Sequence, residues 1–176
     1  MRARRFIFRY PPKTGANMDK TGYILLADDN ATDVEMARRA LAVNQFASEV
    51  VVVEDGAEAL DYLYRRGKVH ARRPGNPLVV LLDLKMPKVD GLEVLRRIKG
   101  DAELRTIPAV MFTSSVQTAD VTESYRLGVN AFVVKPVDFQ QFVKTIQAIG
   151  LFWAVTNEPP PESILDRAPQ PAVLAP

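Results

Sequence analysis

Five consecutive apolar residues, Leu78 to Leu82, stop at Asp83, and Pro87, Asp90 and Gly91 follow before an amphipathic run resumes. An apolar run without alternation fits a strand covered on both faces, the condition met in a parallel sheet sandwiched between helices. Asp83 then stands at the strand's carboxyl end, the edge where open α/β sheets bind ligands and do chemistry. A loop-capping Asp is the other reading of this position alone.

The rest of the chain supplies the alternation that such a sheet needs. Tyr23–Ala27 reads as a strand ending in Asp28-Asp29-Asn30, and Asp33–Val43 follows as a helix capped by Asn30 or Thr32. Glu49–Val53 is a strand, Gly56–Arg66 a helix, and Arg65–Pro77 a basic loop. After the Asp83 segment come a helix over Gly91–Lys99, a strand over Ala109–Phe112 ended by Thr113, and a helix capped by Thr118 and closed by Gly128. Ala131–Val134 is a fifth strand, ended by Lys135, and Phe139, Phe142, Ile146, Ile149 and Trp153 mark a longer helix. Five strand-helix repeats predict an α/β fold, a doubly wound five-stranded parallel sheet with right-handed crossovers.

The 176 residues, 47% hydrophobic and 25% charged, suit one domain with a core of ordinary size. The absence of cysteine excludes disulfides and thiolate zinc sites, and His70 alone cannot build a multi-histidine metal cage. No apolar run approaches a membrane span, and the composition fits a cytoplasmic protein. Arg2, Arg4, Arg5, Arg9 and Lys13 precede Met18 without an anion, and removing these five charges from the net +2 leaves −3. Residues 1–20 are therefore read as a flexible basic N-terminal extension, with Met18 as the native start, and residues 21–157 as the domain. Six prolines among the last nineteen residues mark 158–176 as a disordered tail.

Asp28 and Asp29, Asp83, Thr113 and Lys135 each end a different predicted strand, so they converge on one rim. Carboxylates held together there repel by about 4 kcal/mol per pair at about 4 Å and an effective dielectric near 20, which a divalent cation or a lysine must offset. With oxygen donors alone, Mg²⁺ is the natural cation. An Asp beside Mg²⁺, with a hydroxyl and an ammonium nearby, is equipped for phosphoryl transfer.

These residues carry a resemblance. Asp28-Asp29, Asp83 in LLDLKMPKVDGLEVL, Thr113 in VMFTSS and Lys135-Pro136 in AFVVKP resemble the receiver domain of two-component response regulators, over about Tyr23 to Trp153. EDGAEALDYLYRRG, LRTIPAVMFTSS, NAFVVKPVDFQQF and Phe152-Trp153 are similar to stand-alone receivers paired with bacterial phytochrome histidine kinases. The resemblance implies strand order 2-1-3-4-5, the flavodoxin-like receiver fold. It implies that Asp83 accepts a phosphoryl group from a kinase histidine, and that Asp28, Asp29, Asp83 and the backbone carbonyl of Lys85 bind Mg²⁺. Lys135 would pair with the phosphoryl oxygens, before a cis bond to Pro136, and Thr113 with Phe132 would form the switch pair. Lys85, two residues after the acceptor, and Ser115, two after Thr113, stand at positions that vary in the family.

With no room for a DNA-binding output domain, the message would be the phosphorylated surface itself, in a phosphoacceptor signalling protein rather than an enzyme. The resemblance suggests homodimerisation through the face of the fourth helix, fifth strand and fifth helix, and Phe152 and Trp153, beyond the sheet's cover, would extend that interface. Two other classes compete. An aspartate-nucleophile phosphatase would use similar Asp, Thr and Lys residues but wants a second acid two residues after its nucleophile, where this chain has Lys85. A nucleic-acid binder would use the basic loop Arg65 to Arg73 and show steep salt dependence.

Overall fold

A computed structural model of the protein describes residues 4–6, 22–43, 49–66 and 75–160. The elements in order are β1 (Arg4–Phe6), β2 (Tyr23–Ala27), α1 (Ala31–Val43), β3 (Glu49–Val53), α2 (Gly56–Leu63), β4 (Val79–Leu82), α3 (Gly91–Gly100), β5 (Ala109–Thr113), α4 (Thr118–Arg126), β6 (Ala131–Val134) and α5 (Phe139–Leu151). The sheet runs β1-β3-β2-β4-β5-β6, and its five parallel strands, β2 to β6, follow the expected order 2-1-3-4-5. The order in which strands are added reverses at β2, with β3 on one side and β4 on the other, which opens a crevice at the carboxyl ends of β2 and β4, the switch point of this topology.

Alternation along β2 splits the core into two layers. Leu25 and Ala27 face a cluster with Leu60 and Leu63 of α2 and Val94, Leu95 and Ile98 of α3. Ile24 and Leu26 face the opposite cluster, with Ala37 and Leu41 of α1 and Phe142 and Ile146 of α5. Every residue of β2, β3, β4 and β5 is buried. That burial accounts for continuous apolar runs where a one-faced sheet would show alternation.

Of the N-terminal extension, the described residues Arg4–Phe6 form a short strand. Arg4–Phe6 pairs antiparallel with β3, placing Arg4 opposite Val52 and Phe6 opposite Val50. The outer side of β3 would otherwise present an open ladder of N–H and C=O groups, and even a three-residue segment satisfies part of it. The rest of residues 1–21, the segment 67–74 with His70, and residues 161–176 lie outside the described residues, and with them most of the extension, the basic loop and the tail.

Acidic and amide caps set the helix starts. Asn30 Oδ1 accepts the backbone N–H groups of Thr32 and Asp33, so Asn30 is the cap of α1. Asp55, Asp90 and Asp138 do the same for α2, α3 and α5. Thr118, expected as a cap, is instead the first helical residue of α4, whose N-cap Gln117 makes no side-chain cap bond. Gly128, at φ +89°, closes α4 as anticipated, in a conformation that L side chains rarely adopt.

Beyond Leu151 the chain widens into a π turn over Phe152–Thr156, where the Asn157 N–H reaches the Phe152 carbonyl at 2.7 Å. The Phe152 and Trp153 rings meet edge to face at 4.9 Å. They divide the roles expected of both: Phe152 is half exposed, while Trp153 packs against the cluster built on β2, α1 and α5. At the other end of the stripe, Phe139, the first residue of α5, is exposed, and burial begins with Phe142.

Candidate functional site

The parallel ladder brings the strand-end residues to one rim. The Asp28 N–H donates to the Val53 carbonyl (3.1 Å), the Asp83 N–H to the Ala27 carbonyl (2.9 Å), and the Lys135 N–H to the Thr113 carbonyl (2.8 Å). Asp28, Asp83 and Lys135 therefore each lie one step beyond the last paired position of their strand and are anchored to the neighbouring strand. The side chains meet accordingly. Lys135 Nζ donates to Asp28 Oδ2 at 2.7 Å, to Asp33 Oδ2 at 2.9 Å and to Asp83 Oδ2 at 3.2 Å.

The second oxygens of Asp28 and Asp83 are also engaged. Asp28 Oδ1 accepts the Asn30 N–H at 3.0 Å, and Asp83 Oδ1 accepts the Leu84 N–H at 2.6 Å. Oxygens of Asp28, Asp29 and Asp83 lie within 4.8 Å of one another, with Asp28 buried, Asp29 exposed and Asp83 between. Three hard oxygen donors around one point, open on the Asp29 side, fit a hard divalent cation that keeps part of its water shell. Lys85 has its side chain in solvent, leaving no acid two residues after Asp83.

Electrostatics at the rim are unequal. Burial pushes the Asp28 carboxyl up to about 6, against the pull of Lys135 and the Asn30 N–H, and the Asp83 charge adds to the rise. Lys135 is held protonated: burial works against its charge, but Asp28, Asp33 and Asp83 outweigh it. Within the Lys135–Asp28 pair the ammonium is thus stabilised in its charged form while the carboxylate is not. Both shifts hold because one ammonium is shared among three carboxylates. Its charge is secure, while Asp28, the most deeply buried partner, receives only part of the compensation.

The loop after Asp83 is clamped from below. A Cβ on Gly91 would stand 2.2 Å from the Asp83 carbonyl oxygen, and one on Gly56 would stand 2.0 Å from the Val89 carbonyl oxygen, so only glycine lets α2 and α3 approach so closely. Lys88 adopts φ +64°, rare for a side chain of its kind, and its ammonium pairs with Asp55, the cap of α2. The loop after Asp83 is thus fastened to both neighbouring helices.

Thr113 is buried, and its Oγ1 accepts the Ser115 N–H at 3.2 Å, turning the hydroxyl toward its own loop. Ser115 Oγ in turn donates to Asp120 Oδ2 at 2.5 Å, fastening this loop to α4. Phe132 stands opposite Met111 in the ladder and packs, half-buried, on the α2-α3 side of the core. Among the described residues there is no cis peptide, so the Lys135-Pro136 bond, expected cis, is trans. Strand ends bring Asp28, Asp29, Asp83 and Lys135 together, but they give no sign of Asp33. An acid in the first turn of a helix is ordinarily explained by the helix dipole, and nothing local connects it to a lysine 102 residues away.

Comparison with known proteins agrees with this geometry. Residues 24–147 match the response regulator receiver domain. Response regulator Rcp1 of Synechocystis sp. is 35% identical over 133 residues, 76% of this chain and 89% of that protein. The Mn²⁺-bound form of Rcp1 superposes with a TM-score of 0.75 at 34% identity, covering 79% of this chain and 99% of that one. The phosphorylated cyanobacterial phytochrome response regulator RcpA gives a TM-score of 0.76 at 37% identity, over 80% of this chain and 99% of that one. The bacteriophytochrome response regulator AtBRR is 58% identical, with a TM-score of 0.64, over 79% of this chain and 99% of that one. No helix among the described residues is long and apolar enough to cross a membrane. Matched along most of its length in sequence and in fold, the chain belongs to the receiver domains of response regulators, among relatives that serve phytochromes.

Proposed function

We propose that Asp83 accepts a phosphoryl group from a histidine of a cytoplasmic sensor kinase of the bacteriophytochrome type, with Mg²⁺ held by Asp28, Asp29, Asp83 and the Lys85 carbonyl. The observation that carries this reading is the contact of the Lys135 ammonium with both Asp28 and Asp83, at 2.7 and 3.2 Å, beside the open oxygen cluster. In the transfer a carboxylate oxygen of Asp83 attacks phosphorus, the phosphorus–nitrogen bond to the donor histidine breaks, and the electron pair returns to the imidazole. Mg²⁺, when bound, supplies the positive charge that offsets the clustered carboxylates and phosphoryl oxygens. Lys135 exchanges its longest contact, the one to Asp83, for a phosphoryl oxygen.

The switch follows from the same atoms. Thr113 gives up the Ser115 N–H and donates its hydroxyl to the phosphoryl group, and the Phe132 ring moves into the space released. A phosphoryl group present only in the modified state biases a pre-existing equilibrium through this one differential contact.

Acetyl phosphate tests the assignment without a kinase. With Mg²⁺ the wild type should gain the mass of one phosphoryl group, with EDTA none, and Asp83→Asn none in either buffer; equal incorporation by Asp83→Asn would sink the reading.

The output is a homodimer through the α4, β6 and α5 face and the segment after it. Tyr125, Val134, Phe139 and Phe152 are exposed there, apolar surface that a second copy would cover. Phe152→Asp should shift the sedimentation profile of the phosphorylated protein toward monomer. Trp153, also proposed for this interface, is half-buried, and Trp153→Ala should lower stability as well as dimer content; a dimer that tolerates both changes argues for another face.

A further inference from the structure

An ammonium has three N–H donors and no more. In this structure all three are committed to carboxylates, and one of the three, Asp33, lies outside the oxygen cluster of Asp28, Asp29 and Asp83. Asp33 comes from the first turn of α1, with its backbone N–H fixed by the cap residue Asn30. Its side chain is 18% exposed, and its 2.9 Å bond to Lys135 is shorter than the 3.2 Å bond from Lys135 to the acceptor. The ammonium is therefore held most closely from the β2-α1 side, by Asp28 and Asp33, and touches Asp83 with its weakest arm.

We propose that Asp33 is a positioning residue that draws Lys135 toward α1, keeping the ammonium from saturating the Asp28 and Asp83 carboxylates that a divalent cation and a phosphoryl group must reach. This inference rests on the proposed reading of the oxygen cluster as the cation site, and its phosphoryl-lifetime readout alone rests on Asp83 as phosphoacceptor. Without Asp33, one donor of Lys135 is released. The nearest acceptors are Asp28 and Asp83, and an ammonium settled on both competes directly with the cation. Asp33 also adds one negative charge beside the cluster, which favours any cation by its field alone. The two contributions are separable, because only the first requires Lys135.

The experiment is a double-mutant cycle on Mg²⁺ affinity, measured by calorimetry on the unphosphorylated full chain at pH 8, with wild type, Asp33→Asn, Lys135→Met and the double variant. In the wild-type background Asp33→Asn should weaken Mg²⁺ about tenfold, and in the Lys135→Met background about threefold. A remainder of that size is expected for side chains sharing one hydrogen-bonded ion cluster. Equal losses in both backgrounds would show that Asp33 acts through its charge alone and overturn the proposal, as would no loss in either. Asp33→Glu, which keeps the charge and can reach Lys135, should recover most of the wild-type affinity. Failure to recover it, with folding intact, counts against positioning. A second readout is the lifetime of the phosphoryl group on Asp83, which Asp33→Asn should lengthen about threefold or more, because the released donor joins the phosphoryl oxygens, and should leave unchanged in the Lys135→Met background. If the wild type binds Mg²⁺ with the expected coupling but takes no phosphoryl group, the phosphoacceptor reading fails and the Asp33–Lys135 device stands. A wild type that binds no Mg²⁺ removes both.

Discussion

Lys135→Met is expected to cost about 3 kcal/mol of stability in metal-free buffer at pH 8, and clearly less at pH 5, by urea unfolding followed through far-UV circular dichroism. The side chain is 4% exposed and Met keeps much of its volume, so the loss falls on charge rather than packing. Removing the ammonium leaves Asp28, at 2% exposure, as an uncompensated buried carboxylate beside Asp83. Asp28 can escape that penalty only by taking a proton, and its carboxyl already titrates at about 6 with Lys135 in place. Without Lys135 it titrates higher still, so at pH 5 the variant carries a neutral Asp28 and most of the cost disappears. Saturating Mg²⁺ should also recover part of it at pH 8, since a cation on the cluster replaces the lost charge. An equal cost at pH 5 and pH 8 would mean that Lys135 stabilises by packing, and the electrostatic account of the rim would fail.

The reason this rim could be anticipated lies in the direction of the strands. A parallel sheet puts every strand's carboxyl end on one edge, so an Asp or Lys that stops an apolar run is placed by the topology before any contact is known. That is how Asp28, Asp83 and Lys135 could be grouped across a large separation in sequence. The same reasoning has no hold on residues whose placement depends on a helix's rotation about its axis. Asp33 reaches the site because α1 turns that side of its first turn toward β6, and Trp153 is covered because the π turn rotates it back onto the core while Phe152 stays outside. Arg4–Phe6 carries no legible strand signal. Three residues show no period, and their pairing comes from the open edge of β3 rather than from their own pattern. Asn30 and Thr32 are equally plausible caps of α1 on sequence grounds, because both offer a side-chain oxygen. Asn30 prevails in the structure through two backbone donors that converge on its Oδ1.

Metal-free wild type should lose stability as pH rises from about 4 to about 6, the reverse of the usual acid-denaturation slope. The Asp28 carboxyl is raised from 3.8 to about 6 in the folded chain, so between those values the folded state binds more protons than the unfolded one. Below that window both states hold the proton and no penalty exists. Above it both are ionised and the folded chain bears the whole cost of the buried charge. A shift of about two pH units corresponds to a fall of about 3 kcal/mol at most. Asp55 acts in the opposite sense, since Lys88 and the Glu58 N–H outweigh burial and hold its carboxyl below the ordinary value. Its stabilisation is present above 3.8 and is lost only as pH falls through its lowered folded value, so the two effects occupy separate windows. The Asp28 contribution to metal-free stability should therefore be most favourable at about pH 4 and below, with Asp28→Asn removing the decline above it. In saturating Mg²⁺ the decline should flatten, because a ligand present at about 100 times its Kd adds about 2.7 kcal/mol where the carboxylates are ionised and little where Asp28 is protonated. Urea midpoints across this range in EDTA and in Mg²⁺ decide the matter: a stability that climbs from pH 4 to pH 7 without metal would show that Lys135 already compensates Asp28 in full, leaving no deficit of charge for a cation to fill.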